Sequence, residues 1–138
     1  KTLNLRVKRQ NKNALKMAKY LAVNPNIYHV YYRGLKGHTD YKLAKKQMKN
    51  FGGMLSFELN EGIDVMKFQN NLKLIKPSMS LAGVESTMLS PSLTSHALLS
   101  AEEREQQGIK DGLIRFSVGI EETKDLINDI EQALACLK

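Results

Sequence analysis

The run Gly112-Leu113-Ile114-Arg115-Phe116-Ser117-Val118-Gly119 constrains this chain more than any other. Ile114, Phe116 and Val118 alternate with Leu113, Arg115 and Ser117, the period of a half-buried strand between two glycines. Arg115 then shares a face with Ser117 and points away from Phe116. Spacing alone favours a guanidinium on the wet face of an antiparallel sheet. The alternative is a carboxylate receptor, because a guanidinium on a stiff strand offers two parallel donors and a charge that does not titrate away.

The rest of the chain reads as helices and strands in alternation. Residues 1–22 form a long amphipathic helix, with Leu3, Val7, Ala14, Leu15, Ala18, Leu21 and Ala22 on one face. Asn24-Pro25-Asn26 stops it. Ile27 to Tyr32 is a strand. Thr39 or Asp40 caps a helix to about Asn50, with Leu43, Ala44, Gln47 and Met48 inward. After Gly52-Gly53, Leu55, Phe57 and Leu59 face a core while Ser56 and Glu58 face out. Gly62 and Asp64 introduce a helix to about Asn71, and residues 72–75 make a short strand. Residues 76–99 are rich in Ser and Thr and broken by Pro77, Gly83 and Pro91, which reads as a loop. Ser100-Ala101-Glu102-Glu103 is a capping box opening a short helix that ends at Gly108. The final helix covers 122–137, with Leu126, Ile127, Ile130, Ala133, Leu134 and Leu137 inward. Strands of alternating polarity predict an α+β fold: a mainly antiparallel sheet with helices packed on one face and a long N-terminal helix.

Charge is uneven. Residues 1–50 carry thirteen Lys and Arg and one Asp, net +12, and the remainder carries −5. A basic half with Tyr28, Tyr31 and Tyr32 raises nucleic acid as a partner. The lysines are dispersed along helices with no Arg-rich run, which argues for a solvated helical face instead. A stand-alone basic binding or regulatory module is the alternative reading of the whole chain, and a pure oligomerisation domain is another. No apolar run reaches the roughly 18 residues of a membrane span, so no membrane partner is expected. Cys136 is the single cysteine and is expected to pack on the last helix in a reducing, cytoplasmic setting. His29, His38 and His96 are too scattered for a metal site. No phosphate loop, dinucleotide fingerprint or nucleophile elbow occurs, so no catalytic set is complete. A chain that opens at Lys1 inside a helical pattern is expected to be part of a longer protein.

Three segments together resemble a known family. They are Ser80-Leu81-Ala82-Gly83-Val84-Glu85-Ser86, then Glu103-Arg104 with Gly108-Ile109, then the run from Gly112 to Glu121. They look like the C-terminal domain of the Cys/Met-metabolism pyridoxal-phosphate enzymes: cystathionine synthases and lyases, methionine γ-lyase and homoserine-ester sulfhydrylases. Lys1-Thr2-Leu3 with Arg6, Asn13-Ala14 and Ala18 resembles that family's inter-domain helix, and Gly52-Gly53-Met54-Leu55-Ser56-Phe57 also fits the pattern.

The resemblance implies a fold and a set of roles. The fold would be the small domain of a fold-type I enzyme: residues 1–138 as one C-terminal domain, with 1–22 as the inter-domain helix. Arg115 and Ser80 would hold the substrate's α-carboxylate. Met79 and Ser95 would lie at the substrate pocket. The cofactor would be pyridoxal 5′-phosphate, bound to a lysine in a Ser-x-Thr-Lys context in an N-terminal domain that this chain lacks. The chain by itself would then bind no cofactor and have no activity. The intact parent would be a homo-oligomer, a tetramer, catalysing elimination or replacement on cysteine- or homoserine-type amino acids in transsulfuration and methionine biosynthesis. Two departures stand out. Ala82 replaces the first of two glycines, and Pro91-Ser92-Leu93-Thr94-Ser95-His96 differs from the family's Pro-Ala-x-Met-Thr-His.

Overall fold

Asn24 and Pro25 shape the first turn of the chain. In the computed structural model, which describes residues 2–35, 42–43, 46, 52–78, 83–91, 100–106 and 112–137, helix α1 spans Leu3–Ala22. Beyond it, the Asn24 side-chain oxygen accepts the Asn26 N–H at 2.9 Å, and the Asn24 carbonyl accepts the Ile27 N–H at 3.1 Å. This local turn redirects the chain into strand β1, Ile27–Tyr31. Strand β2 is Met54–Leu59. Helix α2, Val65–Asn71, starts at Asp64, whose carboxylate accepts the Lys67 N–H as an N-cap. Strands β3, Lys76–Pro77, and β4, Thr87–Leu89, follow. Helix α3, Ala101–Gln106, opens with the Glu103 N–H donating to Ser100 Oγ at 3.2 Å, the expected cap. Strand β5 is Leu113–Ser117 and helix α4 is Thr123–Ala135.

One five-stranded sheet runs β1-β2-β5-β4-β3. It is mixed, which corrects the expectation of a mainly antiparallel sheet. Pairs β1/β2, β2/β5 and β5/β4 are antiparallel, but β3 and β4 are parallel. The cause lies in residues 76–99, read from composition as loop. Lys76 N–H donates to the Ser86 carbonyl and Ser78 N–H to the Met88 carbonyl, a parallel ladder too short to show a period. Pro77 lacks an N–H and sits on the edge strand, where none is needed.

The strand expected at 72–75 is also displaced, to 76–77. The N–H groups of Lys73, Leu74 and Ile75 all donate to the Asp129 carboxylate on α4 and so cannot enter a ladder.

One core joins Ala14, Met17, Ala18 and Leu21 of α1, Phe68 of α2 and Leu126, Ile130, Ala133 and Leu134 of α4 to the strand residues Val30, Leu55, Phe57, Met88, Ile114 and Phe116. Phe57 sits edge-on to Phe68 and Phe116, with ring centroids 6.5 and 6.4 Å away. Several expected core residues lie elsewhere. Leu3 and Val7 are 62% and 40% exposed because burial on α1 begins only at Gln10. Ala22 is exposed too. Leu43 is exposed, and most of the helix expected over 39–50 lies outside the described residues. Cys136 is exposed rather than packed, because it is the residue that ends α4.

Candidate anion site on the second face of the sheet

Cross-strand register settles what surrounds Arg115. It stands opposite Ser56 of β2 and Leu89 of β4, while Ser117 stands opposite Met54 and Thr87. Paired residues share a face. Most of that face is covered, with Met54 at its end 37% exposed. Leu89, Thr87, Ser117 and Glu58 are all buried, and Arg115 is half-buried. The reading favoured by spacing alone, a solvent-facing arginine, is therefore corrected.

The Nε of Arg115 is buried and has no hydrogen-bond partner among the described residues. Ion pairs among the described residues join Arg9 to Glu122 at 3.1 Å and Lys76 to Glu85 at 3.3 Å, and neither involves Arg115. A buried donor left unpaired costs about 1–3 kcal/mol, more when it carries charge. An anion accepting from this guanidinium would remove that penalty. Arg115 thus has the position, charge and open donor of an anion receptor.

Met79, Ser80 and Ser95, the other expected site residues, lie outside the described residues. The chain on either side of 79–82 is held firmly. Ser78 N–H donates to the Met88 carbonyl at 3.1 Å, and the Gly83 carbonyl accepts from Gln10 Nε2 at 2.7 Å. A cleft of about 270 Å³ lies here, lined by Lys76, Ser78, Gly83, Val84, Glu85 and Thr87.

Residues given no site role from the sequence bind this region together. Asn13 Nδ2 donates to the carbonyls of Gly119 at 3.0 Å and Glu121 at 2.8 Å. Glu121 accepts from both the N–H and the hydroxyl of Ser86. A signal for α1 was present: Gln10 and Asn13 fall on the same helical stripe as Ala14, Met17 and Leu21. Polar residues on a buried stripe need partners, and here those partners are loop carbonyls.

The fold matches solved enzymes closely. Over 99% of this chain it superposes on cystathionine gamma-lyase from Lactobacillus plantarum complexed with L-serine, with a TM-score of 0.93 and 40% identity, covering 36% of that chain. The profile of the Cys/Met metabolism PLP-dependent enzymes matches residues 1–135, and the chain belongs to that family. It is 46% identical over 135 residues to L-methionine gamma-lyase of Fusobacterium nucleatum subsp. polymorphum, covering 97% of this chain and 34% of that protein. It is 47% identical over 134 residues to cystathionine beta-lyase of Lactococcus lactis subsp. cremoris strain MG1363, covering 97% of this chain and 35% of that protein.

The chain therefore spans about a third of the length of these relatives. This coverage corrects the expected function. The matches take in residues 1–135 and about 35% of each relative, and they do not assign that stretch to a C-terminal domain. That placement does not stand, and the similarities leave the chain's own activity open.

Proposed function

We propose that this chain is part of a pyridoxal-phosphate enzyme that eliminates or replaces a substituent on a sulfur-containing amino acid, and that Arg115 binds the amino acid's carboxylate. Membership of the family supports the class of enzyme. The observation that carries the residue assignment is the buried Nε of Arg115, without a partner among the described residues, on a stiff central strand.

The described residues fit a substrate carboxylate rather than the cofactor. No Ser-x-Thr-Lys run occurs in the sequence. When bound to such enzymes, pyridoxal phosphate supplies the electron sink for carbanion chemistry. Arg115 contributes orientation. A planar guanidinium paired with a planar carboxylate fixes both the distance and the rotation of the amino acid, and so fixes which bond at Cα is presented for cleavage. The half-buried setting strengthens the pair relative to one in open water. Ser80, Met79 and Ser95 join this proposal as further pocket residues on the strength of the sequence pattern. Leu3, Leu5 and Val7, exposed on the first turns of α1, fit a contact with the remainder of a longer, homo-oligomeric cytoplasmic enzyme.

The test is Arg115→Ala and Arg115→Lys in the intact parent. Losing a charge-assisted pair worth about 1.5–3 kcal/mol lowers kcat/KM by roughly ten- to over a hundredfold. Lysine restores charge but not the two parallel donors, and recovers only part of the loss. Kinetics that do not change on either substitution would exclude the assignment.

A further inference from the structure

We propose that Glu121 is the positioning residue for the Arg115 site, acting through Ser86. The inference rests on the reading of Arg115 as a carboxylate receptor. Strand β4, which flanks Arg115, is only three residues long. Its ladder with β5 leaves its entry to be fixed by something else. That entry is Ser86, which is fully buried.

Glu121 spends both carboxylate oxygens on this one residue. Oε2 accepts the Ser86 N–H at 2.9 Å and Oε1 accepts the Ser86 hydroxyl at 2.8 Å. The same hydroxyl oxygen accepts the Gly119 N–H at 2.8 Å. The end of β5 and the start of β4 are thereby joined through a single side chain. Ile120 N–H adds a bond to the Val84 carbonyl at 3.0 Å. Glu121 is held in turn, since its carbonyl accepts from Asn13 on α1 and the neighbouring Glu122 pairs with Arg9. Charge-assisted bonds made in pairs fix direction as well as distance. Loss of the Glu121 carboxylate frees the β4 entry beside Thr87, at the start of the short strand whose far end, Leu89, stands opposite Arg115. A small shift there misplaces the guanidinium while leaving the fold in place.

The experiment uses the intact parent enzyme loaded with its cofactor, and reads KM and kcat separately for its amino-acid substrate. In Glu121→Gln one acceptor becomes a donor, so the N–H and the hydroxyl of Ser86 can no longer both donate to this side chain. KM is expected to rise on the order of tenfold, with kcat changed by less than about twofold. In an Arg115→Lys background, Glu121→Gln is expected to add less than about twofold, because the group it positions is already altered. An equal KM loss in both backgrounds, or none in either, overturns the positioning role and leaves the Arg115 assignment standing. An unchanged KM in Arg115→Lys alone counts against the Arg115 assignment itself. If Glu121→Gln fails to fold, Ser86→Ala decides by the same criteria, since it removes the hydroxyl that links Glu121 to Gly119.

Discussion

The carboxylate of Asp129 accepts the backbone N–H of Ile75 at 2.8 Å, and those of Lys73 at 2.8 Å and Leu74 at 2.9 Å. Three successive amides converge on one buried side chain in the middle of α4. Gln132 also donates to Asp129, at 3.0 Å. This anion fastens the segment between α2 and β3 onto the last helix.

Replacing Asp129 with Ala leaves three amides without their acceptor. The intact protein is expected to lose about 3 kcal/mol, since bonds to a charged acceptor contribute about 1.5–3 kcal/mol and unpaired buried donors add a penalty. Asp129→Asn keeps one oxygen and falls between wild type and Ala. The shift of the urea midpoint at unchanged slope measures this.

Gly119→Ala tests how closely two backbone segments approach. A Cβ at Gly119 would lie 2.2 Å from the Val84 carbonyl oxygen and 2.8 Å from Glu85 C. Both are backbone atoms that cannot rotate away. The expected cost is about 3 kcal/mol, the upper range for overpacking. Gly62→Ala gives a different result. Its Cβ would meet nothing within 4 Å, but its φ is +93°, so the cost is the roughly 1 kcal/mol of a left-handed non-glycine residue. A larger drop in Tm for Gly119→Ala than for Gly62→Ala is the expected order.

Tyr32 should ionise late. Burial pushes its phenol up to about 12, and its hydroxyl donates to the Gly52 carbonyl at 2.8 Å. The folded pKa is raised above the ordinary 10.0, so the folded state favours the neutral phenol. Its contribution to stability is full below pH 10 and is lost as pH climbs through 12. Ultraviolet difference absorbance of the phenolate, compared between wild type and Tyr32→Phe, isolates this titration. A Tyr32 component ionising at its ordinary value would contradict the burial.

Phe57→Ala should cost about 3–5 kcal/mol, because Phe57 is fully buried between Phe68 and Phe116. Val23→Ala, at a residue 82% exposed, should change stability by less than about 0.5 kcal/mol. Thermal denaturation of the two variants side by side checks the contrast.

Much of this architecture was legible residue by residue. The alternation of Leu55 and Phe57 with Ser56, and of Ile114 and Phe116 with Arg115, assigned the core face of β2 and β5 correctly. The stop at Asn24-Pro25 and the cap at Ser100 were local chemistry and appear as read. Strand β4 was not legible, because three residues in a Ser-rich stretch carry no period. The exposure of Leu3 and Val7 was not legible either. Helical periodicity reports which residues share a face, and says nothing of where the sheet beneath that face ends.

The sequence by itself determined the family, the helices and the central strands, because periodicity, capping and motif are written within a few residues of one another. Tertiary structure alone decided the mixed sheet, the burial of the Arg115 face and the roles of Asn13, Glu121 and Asp129. Each of these depends on groups dozens of residues apart meeting at hydrogen-bonding distance: Asn13 with Gly119, Ser86 with Glu121, Ile75 with Asp129. A polar side chain in a sequence shows that it needs a partner once buried, and only the folded chain shows which backbone comes to meet it.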